Sequence, residues 1–239
     1  MINKKNLCII PARGGSKGIK KKNLSLIDGK TLLQITIENA LSSNIFDVIH
    51  VSTDDSEIKQ EAEKFCIEFP FMRSEKLAND NTHVSDVVSD VILKLQNINQ
   101  NFINVCLLMP TSPLRTFYHL REAYGVFEKK NLDSLVSISP LGKLQTNLRY
   151  CKADGLVDYF NANINRNENR QNTSELFAVN GSIYISKVSS FLQYKTFHTE
   201  NVFGFKMNFK ESIDINTPED LKLARIFYKM NHQNNLHRN

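Results

Sequence analysis

The sequence of 239 residues lacks the signals of several large protein classes. Its four cysteines (Cys8, Cys66, Cys106 and Cys151) show no C-x-x-C spacing, so neither a disulfide framework nor a zinc site is expected. No apolar run is long enough to cross a bilayer, and no signal peptide is expected. We therefore expect a cytoplasmic protein that does not enter a membrane.

The sequence also lacks the charge pattern of a nucleic-acid-binding protein. Its net charge is +5 and its pI is about 8.9, but no basic stripe with interleaved aromatic residues runs along it. Its six histidines lack metal-binding spacing, and it contains no recognisable Ser-His-Asp or cysteine nucleophile. A small anionic substrate fits this composition, and no nucleic-acid partner is expected.

What the sequence does contain is a glycine-rich, cationic loop within residues 7–23, LCIIPARGGSKGIKKKN. Four apolar residues predict a short buried strand that ends at Pro11, which cannot donate a ladder hydrogen bond. The loop then contains Gly14, Gly15 and Gly18 together with Arg13, Lys17, Lys20, Lys21 and Lys22. Glycines allow close backbone approach, and exposed N–H groups and fixed cations favour polyphosphate. The loop is neither a Walker A motif nor G-x-G-x-x-G. A solvated basic loop without a ligand is the alternative, chiefly for Lys20–Lys22.

Strand-like and helical patterns alternate along the first part of the chain. Apolar runs predict strands at 7–10, 47–53, 66–72, 104–110 and 134–139, with helical periodicity between them. This alternation predicts an α/β protein with a doubly wound parallel sheet. Ligands bind beyond the carboxyl ends of such strands, where the loops at 11–23, 73–82 and 110–116 are expected to meet.

The alternation stops at residues 140–175, which are rich in asparagine and charge. Short strands are predicted near 147–151 and 156–160. We interpret this stretch as a small excursion from a single domain (1–239) that covers the site or meets a second subunit, with a disordered loop as the alternative. Strands are predicted again at 177–186 and 202–209. A last helix starts at Pro218, with Thr217 as N-cap and Asp220 at N3, and a frayed tail follows from 231.

Two acidic or amide side chains in SIDIN, Asp214 and Asn216, suggest a metal site. They are two residues apart on an extended run, so their side chains point to the same face. One carboxylate and one amide oxygen suit a Mg²⁺ ion that takes its other ligands from phosphates and water, although a structural role for Asp214 is equally consistent. Arg115 and Arg170 could bind carboxylate or phosphate, or lie on the surface.

Six motifs in order carry a resemblance to a known family: IIPARGGSKGIKKKN, VSTDD, RSEKLANDNT, LLMPTSPLR, FAVNGSIYI and SIDINTPEDL. They resemble the motifs of the CMP-sialic acid synthetases, or acylneuraminate cytidylyltransferases, which include CMP-legionaminic acid synthetases. The resemblance spans about residues 7–225. It implies a Rossmann-like fold, a homodimer joined through the excursion at about 140–175, and Mg²⁺ as cofactor. The implied reaction joins CTP and an acidic nine-carbon sugar to give the CMP-sugar and pyrophosphate.

The resemblance also implies roles for individual residues. The implied nucleotide-binding residues are Ala12, Arg13, Gly14, Ser16, Lys17, Asn23, Arg73 and Asp80. The implied sugar-binding residues are Met109, Lys143, Arg170, Asn180, Tyr184 and Phe197. Arg13, Lys17 and Asp214 would be catalytic, and Asp214 and Asn216 would be the metal ligands.

Four positions depart from the family pattern: three lie on the sugar side and bear on which sugar is used, and the fourth, Asn216, should weaken metal binding without removing the oxygen ligand. The family usually has Gln where Met109 stands, a second Asp where Asn216 stands, a Lys where Asn147 aligns, and an aromatic residue where His198 stands; Lys143 could supply the missing charge. N-acetylneuraminate is the expected sugar and legionaminic acid the close alternative, which Met109 favours. A CMP-Kdo synthetase fits the sugar-side motifs less well. From another class, a catalytically weak nucleotide- or sugar-binding protein is the alternative.

Overall fold

Alternate residues of the first strand pack into two different hydrophobic cores. Cys8 and Ile10 belong to one core, while Leu7 and Ile9 belong to the other. Successive side chains of a strand point to opposite faces of the sheet, so both faces of this strand are covered. The apolar run at 7–10 is continuous because helices cover both faces of the sheet at this strand.

The computed structural model describes residues 6–67, 69–142, 148–153, 155–159 and 175–236. The strands are β1 (Asn6–Pro11), β2 (Leu26–Ile27), β3 (Lys30–Thr31), β4 (Val48–Ser52), β5 (Asn104–Leu107), β6 (Ser134–Pro140), β7 (Arg149–Cys151), β8 (Val157–Tyr159), β9 (Phe177–Lys187) and β10 (Val202–Lys206). The helices are α1 (Leu32–Ser43), α2 (Ser56–Glu63), α3 (Val84–Asn97), α4 (Phe117–Lys129), α5 (Val188–Tyr194) and α6 (Pro218–Leu236). Within these ranges no helix is both long and apolar enough to cross a membrane.

Six strands form one sheet in the order β10-β6-β9-β5-β1-β4. The pairs β1–β4, β1–β5 and β6–β10 are parallel, and β9 lies antiparallel between β5 and β6. Helices α1, α2 and α4 pack on one face, and α3 and α5 pack on the other. The predicted α/β class with a doubly wound, mostly parallel sheet is confirmed, and the antiparallel β9 makes the sheet mixed.

The predicted strand at 66–72 is wrong. The described residues of this stretch form no strand, and Cys66 has a φ of +56°, which turns the chain just after α2. The predicted fraying from residue 231 is also misplaced, because α6 continues to Leu236. The predicted start of α6 is confirmed: Asp220 N–H donates to Thr217 Oγ1 (3.2 Å), and Thr217 N–H donates to Asp220 Oδ2 (2.8 Å).

The excursion contains a separate two-stranded sheet. β7 and β8 pair antiparallel, with Arg149 opposite Tyr159, so the two short strands predicted there are confirmed. Residues 143–147, 154 and 160–174 lie outside the described residues. The single-domain organisation and the role of the excursion in dimerisation stay predictions.

Candidate functional site

A cleft of about 480 Å³ opens where β1 and β5 end. Its size is typical of a pocket for a small-molecule ligand. The loops at 11–23, 73–82 and 110–116, which were predicted to meet, all contribute to its wall. It is lined by Pro11, Arg13, Gly15, Ser16, Lys22, Asn23, Arg73, Leu77, Asn79, Asp80, Thr82, Val84, Ser85, Val87, Leu107, Met109, Pro110, Thr111, Gly181, Tyr184, Thr196, Phe197, His198, Asp214 and Asn216.

Two cations of the glycine-rich loop share one carboxylate across the cleft. Arg13 donates to Asp80 Oδ1 (2.6 Å) and to the carbonyl oxygen of Asn79 (2.9 Å). Lys17 Nζ lies 3.1 Å from Asp80 Oδ2. The hydrogen bonds from Lys17 and Arg13 lower the pKa of Asp80, so this carboxyl is ionised at neutral pH. The loop therefore holds one anionic side chain between its two cations.

Close packing explains two of the loop glycines. Gly14 N–H donates to Asp54 Oδ1 (3.0 Å), and a Cβ on Gly14 would lie 2.6 Å from Asp55 Oδ2. A Cβ on Gly18 would lie 2.3 Å from the carbonyl oxygen of Asn216. Only glycine permits such an approach. The cationic loop is therefore packed directly against the chain segment that carries Asp214.

The three consecutive lysines of the loop have different environments. Lys22 lines the cleft, and its Nζ donates to the carbonyl oxygen of Ile215 (3.1 Å). Burial lowers the pKa of Lys22, while the nearby Asp214 carboxylate acts in the opposite direction. Lys20 is exposed, and Lys21 pairs with Glu57 on the surface (2.6 Å). The sequence pattern does not distinguish the three lysines, because the contact that separates Lys22 from the others is to Ile215, far away along the chain.

Asp214 and Asn216 lie side by side on the wall of the cleft, as predicted. Asn216 Nδ2 donates to Asp214 Oδ2 (2.8 Å). Among the described residues no group of three His, Cys, Asp or Glu side chains could hold a metal ion. The donor set fits a Mg²⁺ ion that binds through one carboxylate and takes its remaining ligands from phosphates and water.

An aromatic wall lies beside Asp214. The Tyr184 ring packs against Phe197 with ring centroids 5.5 Å apart, and against His198 at 6.0 Å. Burial and the charge of Asp214 raise the pKa of Tyr184, so its hydroxyl stays protonated. Met109 packs against the same hydrophobic core as Tyr184 and Phe197. This side of the cleft offers apolar and aromatic contact, whereas the loop side offers cations.

Two buried arginines beside the cleft donate hydrogen bonds to the strands and turns that form it. Arg73 lines it and donates to the carbonyl oxygen of Ser52 (2.6 Å) and to Ser52 Oγ (3.1 Å), and burial lowers its pKa to about 10. Arg115 is 1% exposed and donates to the carbonyl oxygens of Ser182 (2.7 Å) and Met109 (3.3 Å). Arg115 is therefore neither a surface residue nor a ligand-binding fork; it joins the turn after β5 to β9.

Comparison with known proteins agrees with this geometry. The model of the cytidylyltransferase family matches residues 7–239. The chain belongs to this family. It is 34% identical over 229 residues to pseudaminic acid cytidylyltransferase of Campylobacter jejuni, covering 96% of this chain and 98% of that one. It is 36% identical over 232 residues to CMP-N,N'-diacetyllegionaminic acid synthase of Legionella pneumophila, covering 95% and 97%.

The fold of this cytidylyltransferase is also that of a solved synthetase. The structure of CMP:2-keto-3-deoxy-manno-octonic acid synthetase complexed with CTP superposes with a TM-score of 0.68, covering 95% of this chain and 99% of that one. The two sequences are 18% identical, so the likeness concerns the fold alone. The Rossmann-like architecture and the family resemblance inferred from the motifs are both confirmed.

Most of the residues proposed for this cytidylyltransferase from its motifs lie around the one cleft. Those that line it are Arg13, Ser16, Asn23, Arg73, Asp80, Met109, Tyr184, Phe197, Asp214 and Asn216. Lys17 lines an adjoining recess with Arg13 and Asp80. Ala12, Gly14 and Asn180 are not among the described lining residues: Ala12 and Asn180 are buried, and Gly14 is tied to Asp54. Lys143 and Arg170, together with Asn147, lie outside the described residues.

Proposed function

We propose that this chain transfers the cytidylyl group of CTP to an acidic nine-carbon sugar, giving the CMP-sugar and pyrophosphate. One observation carries the proposal: a cationic glycine-rich loop, the Asp214 carboxylate and an aromatic wall face the same cleft in a member of the cytidylyltransferase family. The loop suits the triphosphate, and the aromatic wall beside Asp214 suits the sugar. The names of the two relatives reported above, which act on pseudaminic and diacetyllegionaminic acids, support this assignment.

The proposed reaction asks the protein to align two reactants and to neutralise charge. A hydroxyl of the sugar attacks the α-phosphate in line, and pyrophosphate leaves. Arg13 and Lys17 stabilise the charge that grows on the leaving pyrophosphate, once the phosphates displace Asp80 from them. Lys22 adds a cation on the side of the loop that faces Asp214. Asn23, whose Nδ2 donates to the carbonyl oxygen of Arg13 (3.0 Å), keeps the loop in shape.

Mg²⁺ is part of the proposal. Asp214 would hold it, with Asn216 as a second ligand if its amide turned its oxygen toward the ion. When bound, the ion would supply positive charge to the phosphate groups. Asp214 lies next to the sugar side of the cleft, where its carboxylate can also accept the proton of the attacking hydroxyl.

The identity of the sugar is a finer part of the proposal. The Met109 side chain cannot donate a conventional hydrogen bond, and with Tyr184 and Phe197 it forms a wall suited to methyl groups. A sugar with two acetyl groups, such as diacetyllegionaminic acid, offers more methyl surface to such a wall than N-acetylneuraminate does. We therefore propose a diacylated nonulosonic acid as the preferred substrate, with N-acetylneuraminate as the alternative.

A homodimer and a cytoplasmic location complete the proposal. The β7–β8 hairpin stands apart from the main sheet, and its Leu156 and Val157 are 63% and 58% exposed. Such an apolar pair suits contact with a second copy of the chain. Light scattering coupled to size-exclusion chromatography would test the homodimer. The wild type is expected to be a dimer and Val157→Lys a monomer. A monomeric wild type would contradict the proposal. All four cysteines are free, as is usual in a reducing compartment.

Pyrophosphate release tests the reaction. Wild-type protein with CTP, Mg²⁺ and a panel of neuraminic, legionaminic and pseudaminic acids should release pyrophosphate with at least one sugar. At saturating Mg²⁺, Asp214→Asn should lower kcat by about 10²-fold or more. Asp133→Asn is the matched control, because Asp133 pairs with Lys187 (2.9 Å) at the end of the strands that lies opposite the cleft. Near-normal turnover by Asp214→Asn would exclude the role assigned to Asp214.

One observation favours a second candidate, a nucleotide- or sugar-binding protein with weak catalysis. The Asn216 amide donates to Asp214 Oδ2, and the family resemblance implies a second carboxylate at position 216. The same panel separates the two candidates. Binding of CTP, measured by calorimetry, without pyrophosphate release for any sugar would favour the binding protein.

A further inference from the structure

Strand β9 is irregular where it passes the cleft. Its register with β6 shifts between Val136 and Ile138, and Gly181 has a φ of +74°. Such a bulge interrupts the ladder of backbone hydrogen bonds and redirects the chain locally. The buried backbone groups at the bulge must therefore find partners among side chains.

The side chains of Ser137 and Asn180 supply those partners. Ile183 N–H donates to Ser137 Oγ (2.7 Å), and Ser137 Oγ–H donates in turn to Asn180 Oδ1 (2.5 Å). Ser182 N–H donates to the same Asn180 oxygen (3.1 Å). Because a backbone N–H can only donate, the atom of Asn180 that faces Ser182 must be the oxygen. The orientation of the amide is thereby fixed, and its nitrogen points to the other side.

The nitrogen of Asn180 reaches the segment that carries Asp214. Asn180 Nδ2 donates to Ser212 Oγ (2.8 Å), and Ser212 Oγ–H donates to the carbonyl oxygen of Asn208 (2.7 Å). Ser212 precedes Asp214 by two residues in a stretch that belongs to no strand or helix. On the far side of Asp214, Ile215 N–H donates to the carbonyl oxygen of Thr111 (2.8 Å). Asp214 therefore lies between two ties, one to β9 and one to the turn after β5.

We propose that Asn180 is a positioning residue that holds Asp214 in place through Ser212, and that it does not contact the sugar. Both ends of its amide are already hydrogen-bonded inside the protein, and the residue is 6% exposed. The neighbouring Gly181 does face the site, since a Cβ there would lie 3.9 Å from Asp214 Cγ. The bulge thus presents its backbone to Asp214 and uses Asn180 as the anchor. The catalytic importance of Asp214 in this inference rests on the proposed function.

A double-mutant cycle tests the inference with two readouts. Asn180→Ala and Ser212→Ala should each lower kcat by about tenfold while the KM for the sugar stays unchanged, because a misplaced Asp214 affects the reaction rather than sugar binding. The double variant should lose no more than the more impaired single variant. Urea unfolding of the protein without CTP, sugar or Mg²⁺ should show the same non-additivity in the midpoint. Asn39→Ala is the control, since Asn39 Nδ2 also donates a hydrogen bond, here to the carbonyl oxygen of Ile35 on α1 (2.9 Å), away from the cleft.

The two roles of Asn180 predict opposite results. A raised KM for the sugar in Asn180→Ala, with wild-type behaviour of Ser212→Ala, would make Asn180 a sugar contact and overturn the inference. Additive effects in both readouts would also overturn it. If Asn180→Ala does not fold, Ser212→Ala alone decides, because it leaves the bulge intact. If the wild type turns over no sugar, the proposed function fails. The double-mutant cycle in urea unfolding then tests the hydrogen bond between Asn180 and Ser212 by itself, and additive midpoint shifts would refute that link.

Discussion

Replacing Gly18 by alanine tests whether the cationic loop and the Asp214 segment work as one unit. The added Cβ would lie 2.3 Å from the carbonyl oxygen of Asn216, whereas ordinary contact begins at 3.4 Å. The loop and the segment must therefore separate by about 1 Å. The carbonyl cannot simply swing away, because the N–H of the same peptide unit, that of Thr217, donates to Asp220 Oδ2 (2.8 Å). The Asn216 N–H also donates to this carboxylate (3.0 Å).

A separation of this size should slow the reaction. A misplacement of about 1 Å between reacting groups costs about 10²-fold in rate. We expect Gly18→Ala to lower kcat for pyrophosphate release by about that factor. The KM for CTP should change less, because Arg13 and Lys17 lie on the other side of the loop and contact Asp80. Steady-state kinetics at saturating Mg²⁺ gives both constants.

The control for this variant is Gly125→Ala. Gly125 lies in α4, where an added Cβ meets nothing within 4 Å and alanine favours the helix. Thermal melting of both variants would show that they are folded. Wild-type kcat in a folded Gly18→Ala protein would refute the reasoning, since it would mean that the loop and Asp214 need not be in contact during turnover.

Three further predictions concern His50, Asp80 and Met109. Burial lowers the pKa of His50 from 6.5 to about 4, so the folded state resists protonation of this side chain. The free energy of unfolding therefore falls as the pH decreases from 6.5 towards 4. Between pH 7 and pH 5 the wild type should lose about 2 kcal/mol more of its unfolding free energy than His50→Leu. Urea unfolding at each pH measures this, and parallel pH profiles would contradict it. Asp80→Asn should lower the KM for CTP a few-fold, because the phosphates no longer compete with a carboxylate for Arg13 and Lys17; an increased KM would show that Asp80 assists binding instead. Met109→Gln should reduce the preference for diacetyllegionaminic acid over N-acetylneuraminate by about tenfold in kcat/KM, and an unchanged ratio would remove Met109 from the specificity of the site.

Much of the site could be predicted because its signals are local in sequence. The glycine-rich loop follows an apolar strand, the Asp214 motif precedes a capped helix, and both patterns depend on neighbouring residues only. The convergence of the loops at 11–23 and 110–116 followed from the parallel arrangement of the strands before them, β1 and β5. The loop at 73–82 also lines the cleft, although the described residues before it form no strand. These expectations required no knowledge of contacts between distant residues.

The remaining features depend on contacts that local sequence does not encode. Lys22 differs from Lys21 only because it reaches Ile215, which is 193 residues away. Arg115 was interpreted as a surface or ligand-binding residue, but it is buried against the carbonyl oxygens of Met109 and Ser182. The antiparallel direction of β9 also has no local signal, since its apolar pattern would suit a parallel strand equally well.

The insertion of β9 between β5 and β6 explains why the two halves of the cleft face each other. Tyr184 pairs with Leu107 across the β5–β9 ladder, so the aromatic wall lies beside the end of β5 and its Met109 turn. The same strand carries the bulge whose Asn180 anchors Ser212, two residues before Asp214. The cationic loop approaches the other side of that segment through Gly18. Asp214 is thus held by ties from the loops after β1 and β5 and from β9, and loosening any one of them should affect turnover before it affects the binding of either substrate.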